Sequence, residues 1–223
     1  MVKDRHSNIQ SSKPAHHTAL QQYRVRANQY DLELQPFEPL RLEAIERLNL
    51  QPGEVVLDVG CGTGLSFMPL LNKLGDRGHV VGIEQCPEMI GKAQERIASA
   101  GWKNQVALVH ASAEDARWKG KADAAVFHFT HDVMRCPAAI DNVMAHLKPG
   151  ARVVATGLQW APPWAGPVNC FVMGAALYSV SSLDGLNQPW SELASRLVDF
   201  QRHDTWMGSV YVATGIWLGA STA

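Results

Sequence analysis

Glu54-Val55-Val56-Leu57-Asp58-Val59-Gly60-Cys61-Gly62-Thr63-Gly64 is the stretch on which the reading of this chain turns. Val55, Val56, Leu57 and Val59 form a short apolar run between Pro52-Gly53 and the glycines, the pattern of a strand covered on both faces. Helical spacing resumes at Leu65. Glycines at alternate positions let the backbone turn tightly and come closer to a ligand than a Cβ allows, and free amides at a helix start favour electron-rich ligand atoms. Asp58 is the odd residue in an apolar strand, and its carboxylate is expected to accept hydrogen bonds from the turn or from a ligand. The spacing is G-x-G-x-G, not the G-x-G-x-x-G that cradles a dinucleotide pyrophosphate.

Working outward, Gly78 to Ile83 reads as a second short strand ending in Glu84, twenty residues beyond Gly64, and Pro87 opens a helix. Gln105 to His110 reads as a third strand, followed by Ala111-Ser112-Ala113-Glu114-Asp115. A fourth runs from Ala122 to His128, and Lys148-Pro149-Gly150 makes a turn before a fifth from Ala151 to Thr156. Strands alternating with helical stretches predict an α/β fold with a largely parallel sheet. Beyond it, Gly157 to Trp190 is rich in Trp, Pro and apolar residues, with Val168, Phe171, Val172, Ala175 and Tyr178 at helical spacing after Pro167. A further helix is expected near Pro189, then an antiparallel pair, Ser195 to Trp206 and Ser209 to Leu218, turning at Met207-Gly208.

With 223 residues and an apolar fraction of 46%, the chain suits one domain. Its organisation reads as a flexible start over 1–14, an N-terminal helical lid over 15–50, a cofactor-binding core over 51–156, a substrate-side insert over 157–192 and a C-terminal hairpin over 193–223. The formal net charge is −1 and no basic run stands out, which argues against a nucleic-acid substrate. Cys61, Cys86, Cys136 and Cys170 form no C-x-x-C pair, and no apolar run reaches about 18 residues, so a cytoplasmic protein away from membranes is expected. His6, His16 and His17 lack downstream partners at ligand spacing, and no metal site is expected. The expected partners are a small-molecule substrate and, at most, a second copy in a homodimer.

Leu57 to Gly64, with Glu84, Ala113-Glu114 and Lys148-Pro149-Gly150 in order behind it, resembles the class I S-adenosylmethionine-dependent methyltransferases, from about Val25 to Thr156. The resemblance implies a Rossmann-like three-layer sandwich whose seven-stranded, mostly parallel sheet ends in an antiparallel hairpin. It implies that Asp58, Gly60, Cys61, Gly62 and Gly64 surround the amino-acid part of S-adenosylmethionine and that Glu84 accepts both ribose hydroxyls. Gln85 and Met89 would lie around the adenosine, with Ala113 and Glu114 at the adenine, Asp115 being the alternative acid. Gln29-Tyr30-Asp31 resembles an N-terminal Tyr-Asp element that folds over the cofactor, which makes Tyr30 a lid residue.

Methyl transfer from a sulfonium is an in-line displacement, so alignment and exclusion of water matter most, and a general base helps when the acceptor carries a proton. His128 and His131 flank Phe129-Thr130 after the fourth strand, where this family places residues facing the transferred methyl. His131 is preferred as base, with Asp132 behind it either to orient the ring or to cap a turn, and Tyr23 is a further candidate facing the acceptor. The Asp/Asn-Pro-Pro-Tyr signature of amide and nucleobase amino methylation is absent. The expected acceptor is a small, partly apolar metabolite of specialised metabolism. The alternatives are a phospholipid headgroup amine and a non-catalytic module that binds the cofactor.

Overall fold

A computed structural model describes residues 30–179 and 183–220. The chain opens with α1 (Tyr30–Leu34), a 3-10 turn (Gln35–Phe37) and α2 (Glu38–Arg47), before β1 (Val55–Val59), α3 (Phe67–Leu74), β2 (His79–Glu84), α4 (Pro87–Ala100) and β3 (Val106–His110). There follow β4 (Ala122–His128), α5 (His131–Met134), α6 (Pro137–Ala145), β5 (Leu147–Leu158), α7 (Gly166–Ser179), α8 (Ser191–Ala194), β6 (Val198–Thr205), a 3-10 turn (Trp206–Gly208) and β7 (Val210–Trp217).

The seven strands form one sheet in the order β3-β2-β1-β4-β5-β7-β6, and only β7 runs antiparallel to its neighbours. The expected Rossmann-like architecture is what forms. Strand alternation decides which helix layer each residue meets. Val56 and its register partners Val80 and Ala124 look toward α2, α3 and α4, while Leu57, Val81 and Ala125 look toward α5, α6 and α8. Both faces are therefore dry, as the unbroken apolar strands require. The chain runs from β1 outward through β2 and β3 and then returns to place β4 on the other side of β1, so a crevice opens beyond the carboxyl ends of β1 and β4.

Three boundaries differ from the sequence reading. β5 begins at Leu147, because Leu147 pairs with Ala122 before a register shift, so Lys148-Pro149-Gly150 lies inside an irregular strand start with Gly150 at φ +85. The helix near Pro189 begins at Ser191 and lasts four residues. The last two strands are shorter than expected and are joined by a 3-10 turn in which Trp206 and Met207 as well as Gly208 take positive φ.

Candidate active site

A cavity sits at that switch point, lined by residues from the ends of four strands. Gly60 and Gly62 follow β1, Glu84, Gln85 and Met89 follow β2, Ala113 and Glu114 follow β3, and His128, Phe129, Thr130, His131 and Asp132 follow β4. The sequence had named nine of these as site residues or histidine bases. It had not singled out Phe129, Thr130, Ile83, Val133 or Cys136 as lining residues, and for Phe129 and Thr130 the available signal was their place directly after β4.

The turn's amides are not free. Gly60 N and Cys61 N both donate to the Ile83 carbonyl, at 2.8 and 3.0 Å, and Gly64 N donates to the Cys61 carbonyl at 2.9 Å. Gly62 N donates to Glu84 Oε2 at 3.0 Å, while Glu84 Oε1 accepts from Cys86 N at 2.8 Å. Glu84 thus ties the glycine turn to the start of α4, and burial raises its pKa against the pull of these amides. Each carboxylate oxygen keeps a further lone pair for a ligand hydroxyl. A Cβ on Gly60 would stand 2.5 Å from the Thr130 methyl, so glycine is required there for the β1 and β4 loops to meet. A Cβ on Gly64 would strike the Phe67 ring at 2.3 Å, so that glycine serves the packing of α3.

Asp58 does not bond the turn, because the Ile83 carbonyl has taken those amides. It lies buried on the α2 side of β1, its Oδ2 without a hydrogen-bond partner among the described residues. Burial pushes its pKa up to about 7, opposed by the Arg41 guanidinium and assisted by the Glu84 carboxylate. Arg41 itself is buried on α2 and bonded to Glu38. Cys61 is buried, its Sγ 2.8 Å from where a Gly82 Cβ would stand, and burial raises its pKa well above the ordinary thiol value. Neither Asp58, Cys61 nor Gly64 lines the cavity.

The two histidines differ in kind. His128 Nδ1 pairs with Thr156 Oγ1 at 3.0 Å, across the β4–β5 register, while its Nε2 is buried without a partner among the described residues. Burial drives its pKa down to about 3, assisted by Arg41, so its ring is neutral at physiological pH. His131 Nε2 donates to the Asp184 carbonyl at 3.1 Å, which leaves Nδ1 as its basic nitrogen. Burial lowers its pKa, partly countered by that carbonyl and by Asp132. Thr130 Oγ1 is also buried without a partner among the described residues. Of the two acids after β3, Glu114 lines the cavity and Asp115 accepts from Ser112 Oγ at 3.1 Å.

Tyr23 and the histidines at 6, 16 and 17 lie outside the described residues, and Tyr30 is described only as the first backbone residue of α1. The residue beside it carries an unforeseen contact: Asp31 accepts from Thr63 Oγ1 and from Arg96 Nη2, both at 2.5 Å, and Arg96 Nε donates to the Thr63 carbonyl at 2.9 Å. The described residues of the insert over 157–192 contribute no lining residue to this cavity, and Asp184 among them bonds His131.

Comparison with known proteins places this geometry. The methyltransferase-domain family matches residues 56–150. An arsenite methyltransferase of Halobacterium salinarum is 28% identical over 54% of this chain and 31% of its own length. A protein-L-isoaspartate O-methyltransferase of Aeropyrum pernix is 30% identical over 49% of this chain and 41% of its own, so the chain spans less than half of either relative. The N-methyltransferase NodS of Bradyrhizobium japonicum, solved with S-adenosyl-L-homocysteine, shares the fold with a TM-score of 0.65 at 19% identity, over 89% of this chain and 97% of that one. An S-adenosylmethionine-dependent methyltransferase of Aquifex aeolicus does so with a TM-score of 0.55 at 18% identity, over 88% and 97%. The residues present fit that cofactor: a buried acid at the end of β2 offers lone pairs, Gly60 brings two loops together where a side chain would clash, and His128 and Thr130, which line the cavity, each keep a buried polar atom without a partner among the described residues. By glycine turn, strand order and the methyltransferase-domain match over residues 56–150, the chain is similar to the class I S-adenosylmethionine-dependent methyltransferases and has their fold.

Proposed function

We propose that the chain transfers the methyl group of S-adenosylmethionine to a small, partly apolar acceptor bound beside the loop after β4. The observation that carries this reading is the convergence on one cavity of Gly60, Gly62, Glu84 and Glu114 from the donor side with His128 and His131 from the other. When bound, S-adenosylmethionine supplies a methyl group already activated on sulfur. Glu84, Gln85 and Glu114 would hold the nucleoside, and the glycine turn would take the amino-acid part. His131 Nδ1 removes the proton from the acceptor heteroatom as that atom's lone pair takes the methyl, and the Asp184 carbonyl holds the ring in the tautomer that can do so. His128, neutral and buried, is better suited to orient an acceptor by a hydrogen bond than to accept its proton. The substrates that the relatives are named for, arsenite, isoaspartyl protein and demethylmenaquinone among them, differ widely, so the acceptor has to be read from this cavity.

The test is release of S-adenosylhomocysteine from S-adenosylmethionine in the presence of fractionated metabolites. Turnover with one fraction supports the reading; tight cofactor binding with no turnover on any fraction would favour a non-catalytic module. A phospholipid headgroup acceptor is supported by one further observation. The helix α7 carries no charged residue, and Phe171 and Leu177 on it, with Trp164 before it, are 51, 58 and 71% exposed. No described helix is long and apolar enough to cross a membrane, so such an acceptor would be met at a lipid surface, and binding to phosphatidylethanolamine vesicles checks it.

A further inference from the structure

Three aromatic rings from three distant segments meet beside the cavity. Phe129, from the loop after β4, lies 4.9 Å from Phe37, from the turn before α2, with the planes at 59°. Phe37 in turn stacks on Trp206, from the turn between β6 and β7, at 5.1 Å and 27°. Of the three, Phe129 lines the cavity; Phe37 is half-buried behind it, and Trp206, 40% exposed, borders a surface hollow with Pro167, Val168 and Phe171, so the stacked rings lead as a strip from the cavity wall to that surface. None of the three belongs to the buried core, which removes simple core packing as the reason for the cluster.

The backbone gives an independent indication. Phe129 has φ +56 and Trp206 has φ +49, a region that bulky residues seldom enter and that persists only where the surroundings hold it. Here the surroundings do. Phe129 N donates to the Thr156 carbonyl at 2.8 Å, and the Trp206 carbonyl accepts from Ser209 N at 3.2 Å and Ser209 Oγ at 2.7 Å. Two of the three rings are therefore presented from strained, pinned positions, as side chains with a task beyond packing tend to be.

We propose that Phe129, Phe37 and Trp206 form an acceptor wall that selects a planar aromatic substrate, its ring laid along the strip and its reacting heteroatom toward the histidines. This rests on the methyl-transfer reading and narrows its substrate class. An ammonium acceptor would call for ring faces converging on one point. Here Phe37 and Trp206 turn their faces on each other, which leaves an extended apolar edge suited to a flat molecule.

The test compares binding of 2-naphthol with decahydro-2-naphthol, which has the same carbon skeleton and hydroxyl but is neither flat nor aromatic. Calorimetry is run on the full chain with and without saturating S-adenosylhomocysteine. The expected result is binding of 2-naphthol about five-fold or more tighter. Trp206→Leu should cut that preference about three-fold with nucleoside affinity unchanged, and Phe129→Leu should cut it about as much. Trp206 is surface-exposed, so its variant folds whether or not the Phe129 variant does. Equal affinity for the two probes in the unaltered chain, tighter binding of dimethylethanolamine than of 2-naphthol, or a preference that survives both substitutions would overturn the wall. Failure to bind S-adenosylhomocysteine while the naphthol preference holds would sink the donor reading and leave the wall supported.

Discussion

Glu84 performs two tasks with one carboxylate: it holds the glycine turn through Gly62 N, and it offers its remaining lone pairs to a ligand. Replacing it with Ala removes both, so Glu84→Ala should weaken S-adenosylhomocysteine by the roughly 1.5 to 3 kcal/mol of charge-assisted hydrogen bonds. Titration calorimetry reads this directly, and a dissociation constant within two-fold of the unaltered chain would refute the assignment. His131 supports a prediction of a different kind. Its proton-accepting form is favoured by burial, so the pH–rate profile should rise with a midpoint below the ordinary 6.5 and then level off. His131→Ala should lower turnover by roughly a hundred-fold or more, abolish that limb and leave nucleoside affinity unchanged. Unchanged turnover would reduce His131 to a packing residue.

At the scale of elements, α1 is held over the glycine turn by Asp31, which joins Thr63 to Arg96 of α4. Both charged partners are partly exposed, Asp31 at 45% and Arg96 at 34%, so the pair adds little to global stability, on the order of 1 kcal/mol or less. Asp31→Ala should therefore leave the melting temperature nearly unchanged while hydrogen exchange of the α1 amides quickens; unaltered exchange would show that something else holds the helix. This latch illustrates where sequence is silent. The strand β1, its glycine turn and the acid ending β2 are legible because each is a local pattern of a few residues. The Asp31–Arg96 contact, the Thr156 partner of His128 and the meeting of Phe37, Phe129 and Trp206 join residues from 28 to 169 positions apart, and only the sheet order brings them together. The same holds for the misplaced start of β5, which depends on Leu147 finding Ala122 across the sheet.

On the scale of the whole molecule, Asp58 and His128 sit on neighbouring strands facing the same helix layer, with Arg41 acting on both, and they oppose each other in pH. Asp58 keeps its proton up to about pH 7 in the folded chain but loses it near 3.8 when unfolded. Across that window unfolding releases a proton, so its contribution to stability falls as pH rises. His128 accepts a proton near 6.5 when unfolded but only at about 3 when folded, so unfolding takes one up and stability rises with pH. The windows overlap from about pH 4 to 6.5, and there the two slopes, each about 1.4 kcal/mol per pH unit at full effect, cancel. Asp58→Asn should uncover the histidine, giving a stability that climbs with pH relative to the unaltered chain. His128→Gln should uncover the acid and give one that declines. Urea denaturation at several pH values between 4 and 6.5 measures both differences, and the other titrating groups drop out because all three proteins share them. Three parallel profiles would mean that neither group is held in the protonation state its burial imposes, and the dry polar layer beneath the cavity would have to be open to water.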